Sequence, residues 1–225
     1  MDYQFRDVIT TIMTELYAGD VTFVKSTNHM TRVLVDDGPE NGMRIFSQNG
    51  ILLIKALIPK AVRITIYIPD SVNILKLNAS TADFSLQNVM LTSVTCVTNG
   101  DFSMKGGRVN GLLELRLDDG HVILDDGTIR GMNIQMGCGY VEGRRLLLMG
   151  NNMIYTDNGR MKFTLNGYTV NYVVSAGSGV NAEEDVIINS KPLSAYEGSM
   201  HNHDAAWLLL AGTLAEPAEF TITKL

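Results

Sequence analysis

Six short segments between residues 82 and 183 begin alike and fall at nearly even spacing. They are Ala82-Asp83-Phe84-Ser85-Leu86, Gly100-Asp101-Phe102-Ser103-Met104, Gly120-His121-Val122-Ile123-Leu124, Gly139-Tyr140-Val141-Glu142-Gly143, Gly159-Arg160-Met161-Lys162-Phe163 and Gly179-Val180-Asn181-Ala182-Glu183. Their first residues, the anchors, lie 18, 20, 19, 20 and 20 residues apart. A fixed period in this range marks stacked units, each covering the apolar face of its neighbour. No other feature limits the possible folds as tightly.

Columns counted from the anchor show what is stacked. Two residues on stand Phe84, Phe102, Val122, Val141 and Met161, with Asn181 breaking the series. Four on stand Leu86, Met104, Leu124 and Phe163, with Gly143 and Glu183 as exceptions. Nine on stand Leu91, Val109, Ile129, Leu148, Tyr168 and Ile188. Five before stand Leu77, Thr95, Leu115, Ile134, Ile154 and Val174. Apolar residues alternating with polar ones, as in Leu113-Glu114-Leu115-Arg116-Leu117, have the period of a strand. The expected fold is all-β: a single-stranded parallel β-solenoid of about 20 residues per coil, with coils about 4.8 Å apart. Glycine suits the anchor because the chain must bend sharply there. The five prolines, Pro39, Pro59, Pro69, Pro192 and Pro217, all avoid residues 70–191. A wall in which each N–H bonds the next coil excludes them.

The flanks are less regular. Residues 1–70 are expected to form lead-in strands that cap the first edge, 71–189 the regular coils, and 190–225 a loop insertion followed by closing strands, all in one continuous domain. Residues 8–17 fit a helix face and a strand about equally. Strand is favoured because Gly19-Asp20-Val21-Thr22-Phe23 repeats the anchor motif. Val33–Val35, Ile51–Leu57 and Val62–Ile68 read as further strands. Trp207–Gly212 and Phe220–Thr223 are the expected closing strands.

With 225 residues the chain can bury about 70% of its unfolded surface. A net charge of −6 without a Lys/Arg cluster argues against nucleic acid. Cys96 and Cys138 fall in different columns two coils apart, so free thiols and a reducing compartment are expected. Met1–Asp7 is no signal peptide, and the longest mostly apolar run, Ala205–Ala215, is too short to span a bilayer. The expectation is a cytoplasmic protein without membrane insertion, or the cell envelope should this be a piece of a longer chain.

Ala18-Gly19-Asp20-Val21-Thr22-Phe23, Ser80-Thr81-Ala82-Asp83-Phe84 and Thr98-Asn99-Gly100-Asp101-Phe102 resemble the Ser/Thr-x-Gly-Asp-hydrophobic units of the bacterial "putative adhesin" family, domains of unknown function. Ile66-Tyr67-Ile68-Pro69 is similar to the strand before that family's repeats, and Val186–Lys191 to the segment leading to its closing coil. The resemblance covers most of the chain. It implies a β-solenoid, a loosely assigned adhesion or surface role, and no catalytic residues.

Candidate chemistry is sparse. Asp83, Asp101 and His121 follow successive anchors and would form an exposed strip able to bind a ligand, or to cleave a glycan. Their bland reading is turn chemistry, since the Asp belongs to the motif itself. Asp118-Asp119 and Asp125-Asp126 are acidic pairs that could bind Ca²⁺ weakly, although they match neither the EF-hand loop nor the calcium-binding nonapeptide repeat, and solvated turns are the favoured reading. His201 and His203 face one side of an extended segment, with Asp204 adjacent, and form the one cluster of metal-ligand types. Tyr155, Tyr168 and Tyr172 could stack on sugars, although Tyr168 sits in an apolar column. No nucleophile elbow or phosphate loop is present. The favoured function is a non-enzymatic interaction or scaffold module without a cofactor, binding a protein or a glycan, or a second copy through its ends. The alternatives are a carbohydrate-active enzyme, a lyase or hydrolase using Asp83, Asp101 and His121, and a metal-dependent sensor using residues 201–204.

Overall fold

The structure is a computed structural model. It describes residues 1–39, 41–165, 170–176, 186–188, 191–192, 196–198, 206–214 and 220–224, with side chains through residue 157. Every regular element described is a strand. In chain order they are β1 (Asp2–Phe5), β2 (Thr11–Lys25), β3 (Thr31–Asp37), β4 (Met43–Gln48), β5 (Ile51–Ala56), β6 (Ala61–Ile68), β7 (Ile74–Gln87), β8 (Met90–Val97), β9 (Phe102–Lys105) and β10 (Arg108–Leu117). There follow β11 (His121–Asp125), β12 (Thr128–Leu148), β13 (Asn151–Leu165), β14 (Val170–Ala176), β15 (Val186–Ile188), β16 (Lys191–Pro192), β17 (Tyr196–Gly198), β18 (Ala206–Leu214) and β19 (Phe220–Lys224). Residues 8–17 thus resolve as strand over Thr11–Tyr17, and the stretches 33–35, 51–57 and 62–68 fall on β3, β5 and β6.

Parallel pairing dominates. Val109 sits beside Leu91 on one side and Ile129 on the other, and Val122 beside Phe102 and Val141. The long strands β2, β7, β12 and β13 bend and pair over two separate stretches. Their inward residues form one core. Val21, Phe84, Phe102, Val122 and Val141 are buried along one row, and Leu77, Leu115, Ile134 and Ile154 along another. Leu91, Val109, Ile129 and Leu148 are all buried as well. Each fully buried side chain of this size contributes about 1.5–3 kcal/mol.

One column is off by a residue. Cys96, not Thr95, lies between Leu77 and Leu115. Cys96 is fully buried while Thr95 is half-buried on the outer side. The interval from Leu77 to Cys96 is one residue longer than the 18-residue anchor spacing there, so counting from the anchor misplaces the strand before it.

The expected architecture, a single-stranded parallel β-solenoid of sequential 20-residue coils with a lead-in and a cap, is overturned. The body is a closed, barrel-like wrap of parallel strands around one core, with outer strands added at its ends. Several pairings contradict a sequential pile. β2 pairs with β7, bringing Thr11 beside Ile74 across most of the first 70 residues. On its other edge β2 pairs with β5 and β6, so both of its edges are occupied. At the far end β18 lies between β13 and β14, and Ile154 meets Leu210, not Val174. The 206–224 strands are therefore not an end cap. β19 likewise separates β13 from β15.

The outer strands are antiparallel. β4 lies on β5, β3 on β6 and β1 on β3, while β17 lies on β14 and β16 on β15. Covering both outermost parallel rows this way blunts edges that would otherwise recruit another chain.

Candidate functional site

The residue after the anchor faces outward in every row described. Asp20 pairs in register with both Arg63 and Asp83, and His121 with Tyr140. Between them the Asp101 backbone N–H donates to Asp83 Oδ1 at 2.7 Å. The His121 N–H donates to Asp101 Oδ1 at 2.8 Å, and His121 Nδ1 lies 3.1 Å from the same oxygen. Asp83, Asp101 and His121 are thus brought together as expected from sequence, on an exposed ridge. Each carboxylate satisfies the N–H of the next row at a corner, where the strand ladder does not reach. At the start of the ridge Asp20 Oδ2 is 3.7 Å from Arg63 Nε.

The acidic pairs have similar work. Asp119 Oδ1 accepts the Gly120 N–H at 2.9 Å, and Asp125 Oδ1 accepts from Arg145 at 2.6 Å. Among the described residues no three His, Cys, Asp or Glu side chains are grouped to hold a metal ion. His201, His203 and Asp204 lie outside the described residues, as do Tyr168 and the side chain of Tyr172. Tyr155 is exposed, and its hydroxyl is raised above the usual phenol range by a hydrogen bond to Asp157. Cys96 and Cys138 are both free thiols.

Two features were missed from sequence. Six residues after the anchor the chain bends again with a left-handed backbone, at Asn88 (φ 56°), Gly106 (φ 68°), Asp126 (φ 55°) and Arg145 (φ 50°). Asn, Gly and Asp are the residues that tolerate this region, so the first three carried a readable signal and Arg145 did not. Beside that corner, Glu142 is buried and ion-paired to Arg144. This hydrogen bond holds the Arg144 guanidinium above its ordinary range.

A groove lies at the other bend, where β2, β5 and β7 turn. Glu15, Leu16, Tyr17, Lys55, Ala56, Asn78, Ala79 and Ser80 line a volume of about 290 Å³. Its exposed lining is mainly polar, because Leu16, Ala56 and Ala79 point into the core and are buried. Lys55, Glu15 and Asn78 stand in register on three adjacent strands, with Lys55 and Glu15 ion-paired. Tyr17 is 42% exposed at the rim. The Asp83, Asp101 and His121 ridge does not line this groove.

Comparison with known proteins adds the fold. A crystal structure of a "putative adhesin" from Bacteroides fragilis superposes with a TM-score of 0.52 at 13% identity, over 99% of this chain and 96% of that one. The chain shares the fold of proteins named "putative adhesins". A second such structure, from Parabacteroides merdae, gives a TM-score of 0.50 at 11% identity, over 99% of this chain and 95% of that one. The family resemblance read from the anchor motifs is borne out at the level of fold. No protein-family model matches the chain, and no curated protein does.

Proposed function

We propose that the protein is a non-enzymatic, adhesin-like binding module for a protein or glycan ligand. The observation that carries this reading is the use made of Asp83 and Asp101. Each holds a backbone N–H of the neighbouring row on an exposed ridge. A glycosidase instead sets two carboxyl groups about 5–9.5 Å apart on either side of a bound sugar. The names of the two similar structures, both "putative adhesin", support the same reading.

The test has two arms. Immobilised protein is offered glycan and protein arrays, and the same preparation is assayed for polysaccharide cleavage beside Asp101→Asn. Reproducible binding without turnover is the expected result. Cleavage by the parent that Asp101→Asn abolishes would replace the binding module with a carbohydrate-active enzyme.

A further inference from the structure

We infer that the groove at the bend of β2, β5 and β7 is a binding site for the end of a neutral oligosaccharide. The inference rests on the binding reading above and names its ligand class and its location. Four observations carry it.

First, the polar groups alternate. Lys55, Glu15 and Asn78 occupy neighbouring parallel strands at one register position. Strands in a sheet lie about 4.8 Å apart. The groove therefore offers an ammonium donor, a carboxylate acceptor and an amide that is both. A run of sugar hydroxyls, each donor and acceptor at once, matches such a set.

Second, the charges cancel locally. The Lys55–Glu15 ion pair leaves the groove without a net charge to attract a phosphate or a carboxylate. Third, an exposed aromatic ring lines the groove. Tyr17 is exposed while Leu16, Ala56 and Ala79 beneath are buried. A ring of this kind offers a face to sugar C–H groups at low entropy cost. Ser80 lines the groove on β7. Fourth, the volume of about 290 Å³ falls just below the range of ligand pockets, which span about 300–1,000 Å³. That suits one or two sugar rings at a chain end.

The experiment uses the whole protein. Methyl glycosides of glucose, galactose, mannose and N-acetylglucosamine, and their disaccharides, are screened by saturation-transfer NMR and titrated. The expected result is one-site binding of at least one of these sugars, with Kd of order 1 mM. Tyr17→Ala should weaken it about 10-fold or more and Asn78→Ala by a smaller factor, with Tyr17→Phe close to the parent. Both positions are exposed, so circular dichroism of the variants should match the parent. Silence across all the sugars overturns the inference, as does binding that Tyr17→Ala and Asn78→Ala leave intact. Capture of protein ligands with every sugar silent would sink the sugar site but leave the binding module standing. Hydrolysis of a bound sugar would sink the module itself.

Discussion

At the residue scale, the anchor glycines were legible but their reason was only partly so. Gly19, Gly120 and Gly139 have positive φ, as a sharp bend requires, whereas Gly100 does not. At Gly100 the constraint is space, since a Cβ there would lie 2.5 Å from the Ala82 carbonyl oxygen in the adjacent row. Gly139 carries both constraints, with φ 128° and a Cβ position 1.9 Å from the Gly120 oxygen. Gly139→Ala should therefore cost about 2 kcal/mol or more, read as a lower urea midpoint with an unchanged slope. An unchanged midpoint would mean that the close approach is not real. The two cysteines divide by burial. Desolvation holds the Cys96 thiol well above its ordinary value of 9.0, while Cys138 is exposed. One thiol should react with a maleimide in the native protein and two after denaturation. As pH rises past 9, the unfolded chain gives up the Cys96 proton before the folded chain does. The stability this thiol adds is intact below that pH and declines above it.

At the element scale, alternation located most strands and, β8 apart, the inward side of those in the repeats whose side chains are described, but not their partners. β13 ends with β18 and β19 on its outer edge, though β14 follows it in sequence. One apolar parallel edge accepts another with the same hydrogen bonds, so local pattern does not choose between them. The choice has a consequence for truncation. Ending the chain at residue 205 removes β18 from between β13 and β14 and β19 from between β13 and β15, opening four ladders at once. Such a chain should lose cooperative unfolding and associate through its bared edges, seen by denaturant titration and light scattering. A truncated chain that melts as sharply as the parent would require an outer position for these strands.

At the scale of the whole molecule, a strand near each end of the chain lies between others. β2 is flanked by β5 and β6 on one edge and β7 on the other, and β18 by β13 and β14. Neither neighbourhood forms until distant parts of the chain have met. Folding should accordingly be slow, on the order of seconds or longer, because loop closure precedes the contacts that reward it. Trp207, the sole tryptophan, lies on β18, between β13 and β14. Its fluorescence change should lag the far-ultraviolet signal in stopped-flow refolding. Coincident traces would argue that β18 docks with the rest. The same topology sets the groove apart from the anchor ridge. Lys55, Glu15 and Asn78 are distant in sequence and meet only because β2 runs between β5 and β7.

What the sequence settled alone is local: strands through the repeats and much of the flanks, though not β1, β4, or β16 and β17 in the stretch read as a loop, the outward ridge of Asp83, Asp101 and His121, and an inner lining of Phe, Leu, Ile and Val. Period-two alternation and the glycine pace encode these within a few residues. What only the tertiary structure decided is who stands beside whom: the placement of β2 and β18 between other strands, the Cys96 row, and the groove around Tyr17. Those depend on competition among equivalent hydrogen-bonding edges, and that energy belongs to no single segment.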